Sequence, residues 1–437
     1  MFGSRPRNIK GFFFVAKYFR KAYNLLLVGF FGRKAYSRMK KVFEHSSIGT
    51  LKLKNRIIRS ATHEGMAHAD GTPTDDLLKL YLRLAEGGAG AIITGYAGVL
   101  QSGRTFSNMR MFDREAYVDI YRAITDRLRP YGVPLILQLA HGGSRTSSRL
   151  TGQKVVTSSC RSRNEFGDVC KDADEADIQE IIGAFVRAIV NARKAGFDGV
   201  QLHAAHGYLL SEFISPTLNK RKDRWGGALE NRLRIIREIM SRAREVVGPY
   251  PILVKFSAHD EFSDGLSGDE AVAIARQLQE YSCDAVEVSC GSGNVFHTVR
   301  MRDMPRDAIL KLAPRFRDLS LPRKWLFRVG SLFSRTAYRP LHQYNVDLAA
   351  EIKKHVDIPV IVVGGIRSMA GINDIISRQG IDYISLCRPF IIEPDIVEKF
   401  RAGTQDGSRC IDCGYCLIGV TDNPLRCYYG KVVRKKP

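Results

Sequence analysis

Eight short runs rich in Val and Ile, separated by segments of helical periodicity, constrain this chain more than any other feature. In order they are Ile57-Ile58, Ala91-Ile92-Ile93, Leu135-Ile136-Leu137, Val200-Gln201-Leu202, Ile252-Leu253-Val254, Val286-Glu287-Val288, Val360-Ile361-Val362-Val363 and Tyr383-Ile384-Ser385-Leu386. Strands alternating with helices imply a parallel sheet, and eight such units suit a closed (β/α)8 TIM barrel better than an open doubly wound sheet. The connectors agree. Ala176 to Ala195 places Ile178, Ile181, Ile182, Phe185 and Ile189 at three- and four-residue spacings before Gly196 ends the pattern, and Asn231 to Val247 behaves alike. At 437 residues and 44% hydrophobic content, one barrel core with appendages is expected.

The net charge of +22 belongs to those appendages. Residues 1–43 hold eleven Lys and Arg and no acid, and residues 300–339 hold eleven against three Asp. The expected organisation is a basic, aromatic extension over 1–41, a barrel over 42–403 with an insertion at about 295–345 after the sixth strand, and a Cys-rich segment over 404–437. The extension interleaves its charges with Phe12, Phe13, Phe14, Phe30 and Phe31, a pattern that suits an anionic membrane surface rather than nucleic acid. No window is long and apolar enough to span a bilayer. Nine cysteines, an odd number, argue against a disulfide framework and for a reducing, cytoplasmic compartment, to which the extension adds the expectation of peripheral membrane association. The insertion carries Phe316, Trp325, Phe327 and Phe333 among its Arg residues, and a lid, a docking arm and a second membrane contact are all open for it.

In such a barrel the active site forms where the C-terminal strand ends meet. The residues leaving the strands are Ser60, Thr94, Gln138, His203, Lys255, Ser289, Gly364 and Arg388, mostly polar, as a shared pocket requires. After strand seven, Gly364-Gly365 lets backbone amides approach an anion, and strand eight runs into Cys387-Arg388; this is the usual barrel phosphate site, with an Arg fork. His203-Ala204-Ala205-His206-Gly207-Tyr208 ends strand four. Its histidines could share a metal, or both could donate to a carbonyl oxygen while Tyr208 delivers a proton to the neighbouring carbon.

The stretch from His203 through Gly207-Tyr208-Leu209-Leu210, Phe213-Ile214-Ser215-Pro216, Asn219, Arg221, Asp223 and Arg224-Trp225-Gly226-Gly227 to Glu230-Asn231-Arg232 resembles the signature of the Old Yellow Enzyme family of NADH:flavin oxidoreductases. Lys54-Asn55-Arg56-Ile57 and Gln138-Leu139-Ala140-His141-Gly142-Gly143 support the resemblance, which covers roughly residues 42–430. It implies FMN across the barrel mouth, its phosphate on Gly364, Gly365, Cys387 and Arg388. The ring edge would meet the backbone of Ser60, Ala61, Thr62 and His63 and the region of Tyr96, with the Gln138 amide and Lys255 beside N1. It also implies a ping-pong reaction in which NAD(P)H reduces the flavin and the flavin reduces the C=C bond of an α,β-unsaturated carbonyl compound. His203 and His206 would hold the oxygen, and Tyr208 would be the proton donor. His63 departs from the Cys or Thr of several relatives; it would accept a proton, shift the flavin potential, or serve by its backbone alone.

Cys410, Cys413, Cys416 and Cys427 form C-x2-C-x2-C-x10-C, a spacing suited to a [4Fe-4S] cluster, a structural zinc or thiols kept reduced without metal. The motif resembles the cluster site of the trimethylamine dehydrogenase and dienoyl-CoA reductase types. Those carry nucleotide-binding domains after it, whereas this sequence ends at Pro437, so a redox partner protein or a direct substrate role is expected for a cluster. Two other functions compete with enone reduction. One is an oxidative amine dehydrogenase or demethylase passing electrons through the cluster; the other is a membrane-surface electron-transfer or docking module.

Overall fold

The protein is described by a computed structural model over residues 41–160, 163–332 and 338–430. The extension expected over 1–41 lies outside the described residues except for Lys41, as do Phe333 of the insertion and the last seven residues.

All eight apolar runs are strands: β1 (Ile57–Arg59), β2 (Ala91–Ile93), β3 (Leu135–Ala140), β4 (Gly199–Ala204), β5 (Ile252–Ser257), β6 (Ala285–Ser289), β7 (Val360–Val363) and β8 (Tyr383–Leu386). Each pairs in parallel with its sequence neighbours, and β8 returns to β1, closing the barrel. A helix follows each strand: α1 (Asp75–Glu86), α2 (Tyr117–Leu128), α3 (Glu175–Lys194), α4 (Leu229–Val247), α5 (Gly268–Glu280), α6 (Val346–Lys353), α7 (Met369–Ser377) and α8 (Ile396–Arg401).

Successive strand side chains point to opposite faces, and here both faces are covered, which is why the runs read as continuous apolar stretches. Ile57, Ile92, Leu137, Val200, Val254, Val286, Val360 and Ile384 face the helices. Their neighbours Ile58, Ile93, Ile136, Leu253, Ala285, Ile361 and Tyr383 fill the barrel interior. The interior is plugged from below by a hairpin of Ser46–Ile48 and Leu51–Leu53, whose Ile48 and Leu53 are fully buried. Two residues further along the inward rows come Ser60, Gln138, Lys255, Glu287 and Ser385, all buried. The barrel lumen is therefore apolar at its base and polar at its mouth.

Between β6 and α6 the chain forms helices Val295–Thr298, Arg306–Leu312, Pro314–Arg317 and Leu321–Leu332. The Cys-rich segment lies against the mouth of the barrel: Leu425 N–H donates to Glu64 O at 2.7 Å, and Val420 and Leu425 join the main core.

Candidate active site at the barrel mouth

The polar layer is one hydrogen-bonded network with Glu287 at its hub. Ser60 Oγ and Ser385 Oγ each donate to Oε1 at 2.6 Å, and Gln201 Nε2 donates to Oε2 at 2.8 Å. Lys255 Nζ lies 3.5 Å from Oε1 and donates to Ser60 Oγ at 3.1 Å, while Gln138 Nε2 donates to Gln201 Oε1 at 2.7 Å. Burial pushes the Glu287 carboxyl up, but the Lys255 ammonium and the three donors outweigh it and hold it below its ordinary range. Strand register makes this contact, because Lys255 on β5 stands directly beside Glu287 on β6. Glu287 was not anticipated as a site residue; its one signal in the sequence is an acid in the middle of an apolar strand.

Above this floor opens a cavity of about 530 Å³, within the range of small-molecule sites. Ala61, Thr62, His63, Tyr96, Gln138, His203, His206, Tyr208, Lys255, Gly364, Gly365, Cys387 and Arg388 all line it; Ser60 sits just beneath. The thirteen come from loops and strand ends spread around the barrel, and closure alone brings them together.

One wall is the β4 exit. The His203 and Tyr208 rings are 4.6 Å apart between centroids, and His203 and His206 are 5.1 Å apart. Ala205 N–H donates to His203 Nδ1 at 3.4 Å, which assigns the proton to Nε2 and leaves that N–H for a ligand. His206 Nε2 shares a hydrogen bond with Ser289 Oγ at 2.8 Å. Burial, reinforced for His203 by Lys255 and for His206 by His203 and Lys255, pushes both imidazoles well below their ordinary value, so both are neutral near pH 7. Burial raises the Tyr208 phenol, which keeps its proton. His206 has φ of 64°, a left-handed conformation that costs about 1–2 kcal/mol for a residue with a Cβ. Its N–H is held by Gly291 O and Ser257 Oγ, each at 3.1 Å. Gly207 follows, where a Cβ would meet Ser292 O at 1.9 Å. No local sequence rule predicts a left-handed histidine; the surrounding strand ends impose it.

An adjoining wall is the β1 exit, joined to the first where the Tyr96 ring lies 5.3 Å from that of Tyr208. Glu64, missed in the sequence, anchors it: its carboxylate lies 3.0 Å from Arg59 and 3.3 Å from Arg110 and accepts from Gly95 N–H at 2.7 Å. The His63 ring stacks between Tyr96 at 5.3 Å and Phe106 at 4.9 Å, so its side chain is part of the wall. Burial lowers it to about 4.

At the far end, Gly364 and Gly365 take φ of 141° and 65°; a Cβ on Gly365 would meet Leu341 O at 2.3 Å. Arg367, two residues on, lines the cavity, and its Nε and Nη1 are buried without a hydrogen-bond partner. Buried donors of that kind invite an anion. Arg388 Nη1 lies 3.0 Å from Asp412 Oδ1, and Arg367 pairs with the same carboxylate, so Asp412 of the Cys segment is tied to the anion-binding end. Cys410, Cys413, Cys416 and Cys427, all free thiols, line one smaller cavity beside Arg388, and Cys416 also lines the large one. Among the described residues the one group of three donor atoms within 4.8 Å lies elsewhere. No three of these four sulfurs lie within 4.8 Å of one another.

Residues 41–305 match the NADH:flavin oxidoreductase / NADH oxidase family. The chain is 32% identical over 382 residues to NADH oxidase of Thermoanaerobacter brockii, covering 86% of this chain and 53% of that protein. It is 27% identical over 399 residues to cinnamate reductase of Clostridium sporogenes, covering 88% and 56%. Among solved structures, an old yellow enzyme homologue from Zymomonas mobilis superposes with a TM-score of 0.67 at 25% identity, covering 88% of this chain and 99% of that one. The chain spans about half the length of those two sequence relatives. With a match extending over more than half of its residues, on a closed eight-stranded barrel with this polar mouth, the chain belongs to the NADH:flavin oxidoreductase / NADH oxidase family of flavoenzymes.

Proposed function

We propose that this flavin oxidoreductase uses NAD(P)H to reduce the C=C bond of an α,β-unsaturated carbonyl compound in a ping-pong cycle. The observation that carries the reading is the convergence of two neutral imidazoles, His203 and His206, and a protonated phenol, Tyr208, on one wall above the Gln138–Lys255–Glu287 floor.

The residues fit FMN. The unpartnered Arg367 donors, the Gly364-Gly365 backbone and Arg388 would hold its phosphate, and Gln138 and Lys255 its ring edge. When bound, FMN supplies the hydride relay from the nicotinamide to the substrate carbon. His203 Nε2–H, with His206 beside it, binds the carbonyl oxygen and stabilises the negative charge that develops there. Tyr208 Oη holds the proton delivered to the α-carbon. Lys255, fixed by Glu287, presents a cation at the ring edge, and His63, Tyr96 and Phe106 exclude water. The name of the C. sporogenes relative, a cinnamate reductase, supports an unsaturated carboxylate as substrate.

Cys410, Cys413, Cys416 and Cys427 would hold a [4Fe-4S] cluster, which supplies single-electron transfer. Because Cys416 borders both cavities, a second reading keeps support: oxidation of an amine with electrons leaving through the thiol site to a partner protein. Peripheral membrane association extends either reading. Helix Leu321–Leu332 exposes Leu321, Trp325 and Leu326 beside Arg323 and Arg328, a basic and apolar surface suited to anionic headgroups. No helix among the described residues is long and apolar enough to cross a membrane. Sedimentation with phosphatidylglycerol vesicles, but not with phosphatidylcholine, is the expected result; equal binding to both removes the electrostatic part of this extension.

Anaerobic visible spectra test the main reading. Flavin bands should bleach with NADH or NADPH and return on adding 2-cyclohexenone. Bleaching without return under the enone, but with reduction by an amine, selects the oxidative reading, and protein that takes up no FMN overturns both.

A further inference from the structure

Outside the cavity, three side chains from separate segments converge with the chemistry of a metal site. His259 follows β5, Cys290 follows β6, and His297 lies in the Val295–Thr298 helix; one ligand atom from each lies within 4.8 Å of the other two. Cys290 is fully buried and His297 is 7% exposed. The His297 Nδ1 atom is buried and has no hydrogen-bond partner. An unpartnered ring nitrogen in a closed site is costly unless something fills it. His259 engages Nε2 with Asn345 Oδ1 at 3.1 Å, which leaves Nδ1 with a free lone pair, the arrangement in which a metal-bound histidine has its other nitrogen fixed by a second residue. Glu261 Oε2 stands 3.8 Å from His297 Nδ1, held by Ser292 N–H at 2.9 Å.

We propose that His259, Cys290 and His297 bind one zinc ion, with Glu261 or a water as fourth ligand. Imidazole nitrogen, thiolate sulfur and carboxylate or water oxygen are the ligand types zinc takes in tetrahedral sites. On binding, the Cys290 thiol loses its proton to solvent, and the charges of the ion, the thiolate and the carboxylate cancel. The site has a structural purpose in this fold. Val295 and Thr298 of the same short helix face the substrate cavity while His297 turns to the cluster, so the metal pins the wall that closes the cavity on the β6 side. It also ties the start of the long insertion to β5, and through Asn345, whose Nδ2 donates to Val363 O at 2.6 Å, to β7.

The test is metal content and zinc-edge X-ray absorption on flavin-loaded protein from zinc-supplemented cells, neither of which depends on turnover. The expected result is one zinc per chain, with one sulfur at about 2.3 Å and nitrogen or oxygen neighbours at about 2.0–2.1 Å. Cys290→Ala and His297→Gln should each abolish that zinc while iron and flavin content stay unchanged. If Cys290→Ala does not fold, His259→Asn, at the open side of the site, should weaken zinc binding by roughly tenfold or more. A shell of four sulfurs, or zinc that survives these variants and leaves with Cys413→Ala, assigns the ion to the C-terminal thiols and overturns the proposal. So does protein that holds no zinc as purified and takes none up from added zinc sulfate.

Discussion

Glu287 and Tyr208 show how single residues in this barrel carry opposite burdens. Glu287 is fully buried and carries its charge only because Lys255, Ser60, Ser385 and Gln201 surround it. Removing one partner of a buried ion pair leaves the other unpaired, at a cost of about 3–5 kcal/mol. Glu287→Ala should lower stability by that order in urea denaturation and lose flavin on gel filtration, whereas Glu287→Gln, which can still accept hydrogen bonds, should lose less. Tyr208 contributes a proton rather than a fold. Tyr208→Phe should slow the enone half-reaction by about 10²–10⁴-fold in stopped-flow measurements and leave flavin reduction by the nicotinamide nearly unchanged. Equal loss in both half-reactions would remove Tyr208 from the proton-donor role.

Elements carry their own signals, some legible in the sequence and some not. α3 starts on a reciprocal cap: Asp174 accepts from Asp177 N–H and Asp177 accepts from Asp174 N–H, both at 2.9 Å. This satisfies two of the backbone donors a helix start leaves open. Asp174→Ala should cost about 1 kcal/mol, read as a lowered urea midpoint with no change in turnover. The strands and the two best outer helices were legible because continuous apolar runs and the 3.6-residue period are written into neighbouring residues. The helices of the insertion were not, since 295–332 breaks into short pieces whose apolar residues face different partners. Its Leu321, Trp325 and Leu326 are exposed, so no single amphipathic period runs through it.

For the whole molecule, buried neutral histidines set the response to acid. Burial holds His141 and His63 at about 4, against an ordinary value of 6.5, and His203 and His206 are lowered well below it as well. Between about 4 and 6.5 the unfolded chain binds protons that the folded one does not. Stability therefore rises with pH across that window and is fully expressed above it. The buried carboxylates Glu64 and Glu287, lowered by their cationic partners, add a loss of the same sign at more acid pH. The urea midpoint should fall between pH 7 and pH 5, and His141→Gln should flatten that slope; a midpoint independent of pH would contradict the burial argument.

By itself the sequence determined the barrel and the kinds of group at its mouth. Strand alternation, helical spacing and the polar residues at strand ends are local patterns, legible without knowing which segments meet. The thirteen expected residues that line the cavity were named from such patterns and the family resemblance. Only the tertiary structure decided which groups act on one another: Glu287 on Lys255, Asp412 between Arg367 and Arg388, Ser289 on His206, and His259, Cys290 and His297 in one cluster. Each of these contacts joins segments that only strand register and barrel closure bring together. In the same way the left-handed turn at His206 is imposed by neighbours on β5 and β6 rather than by its own sequence.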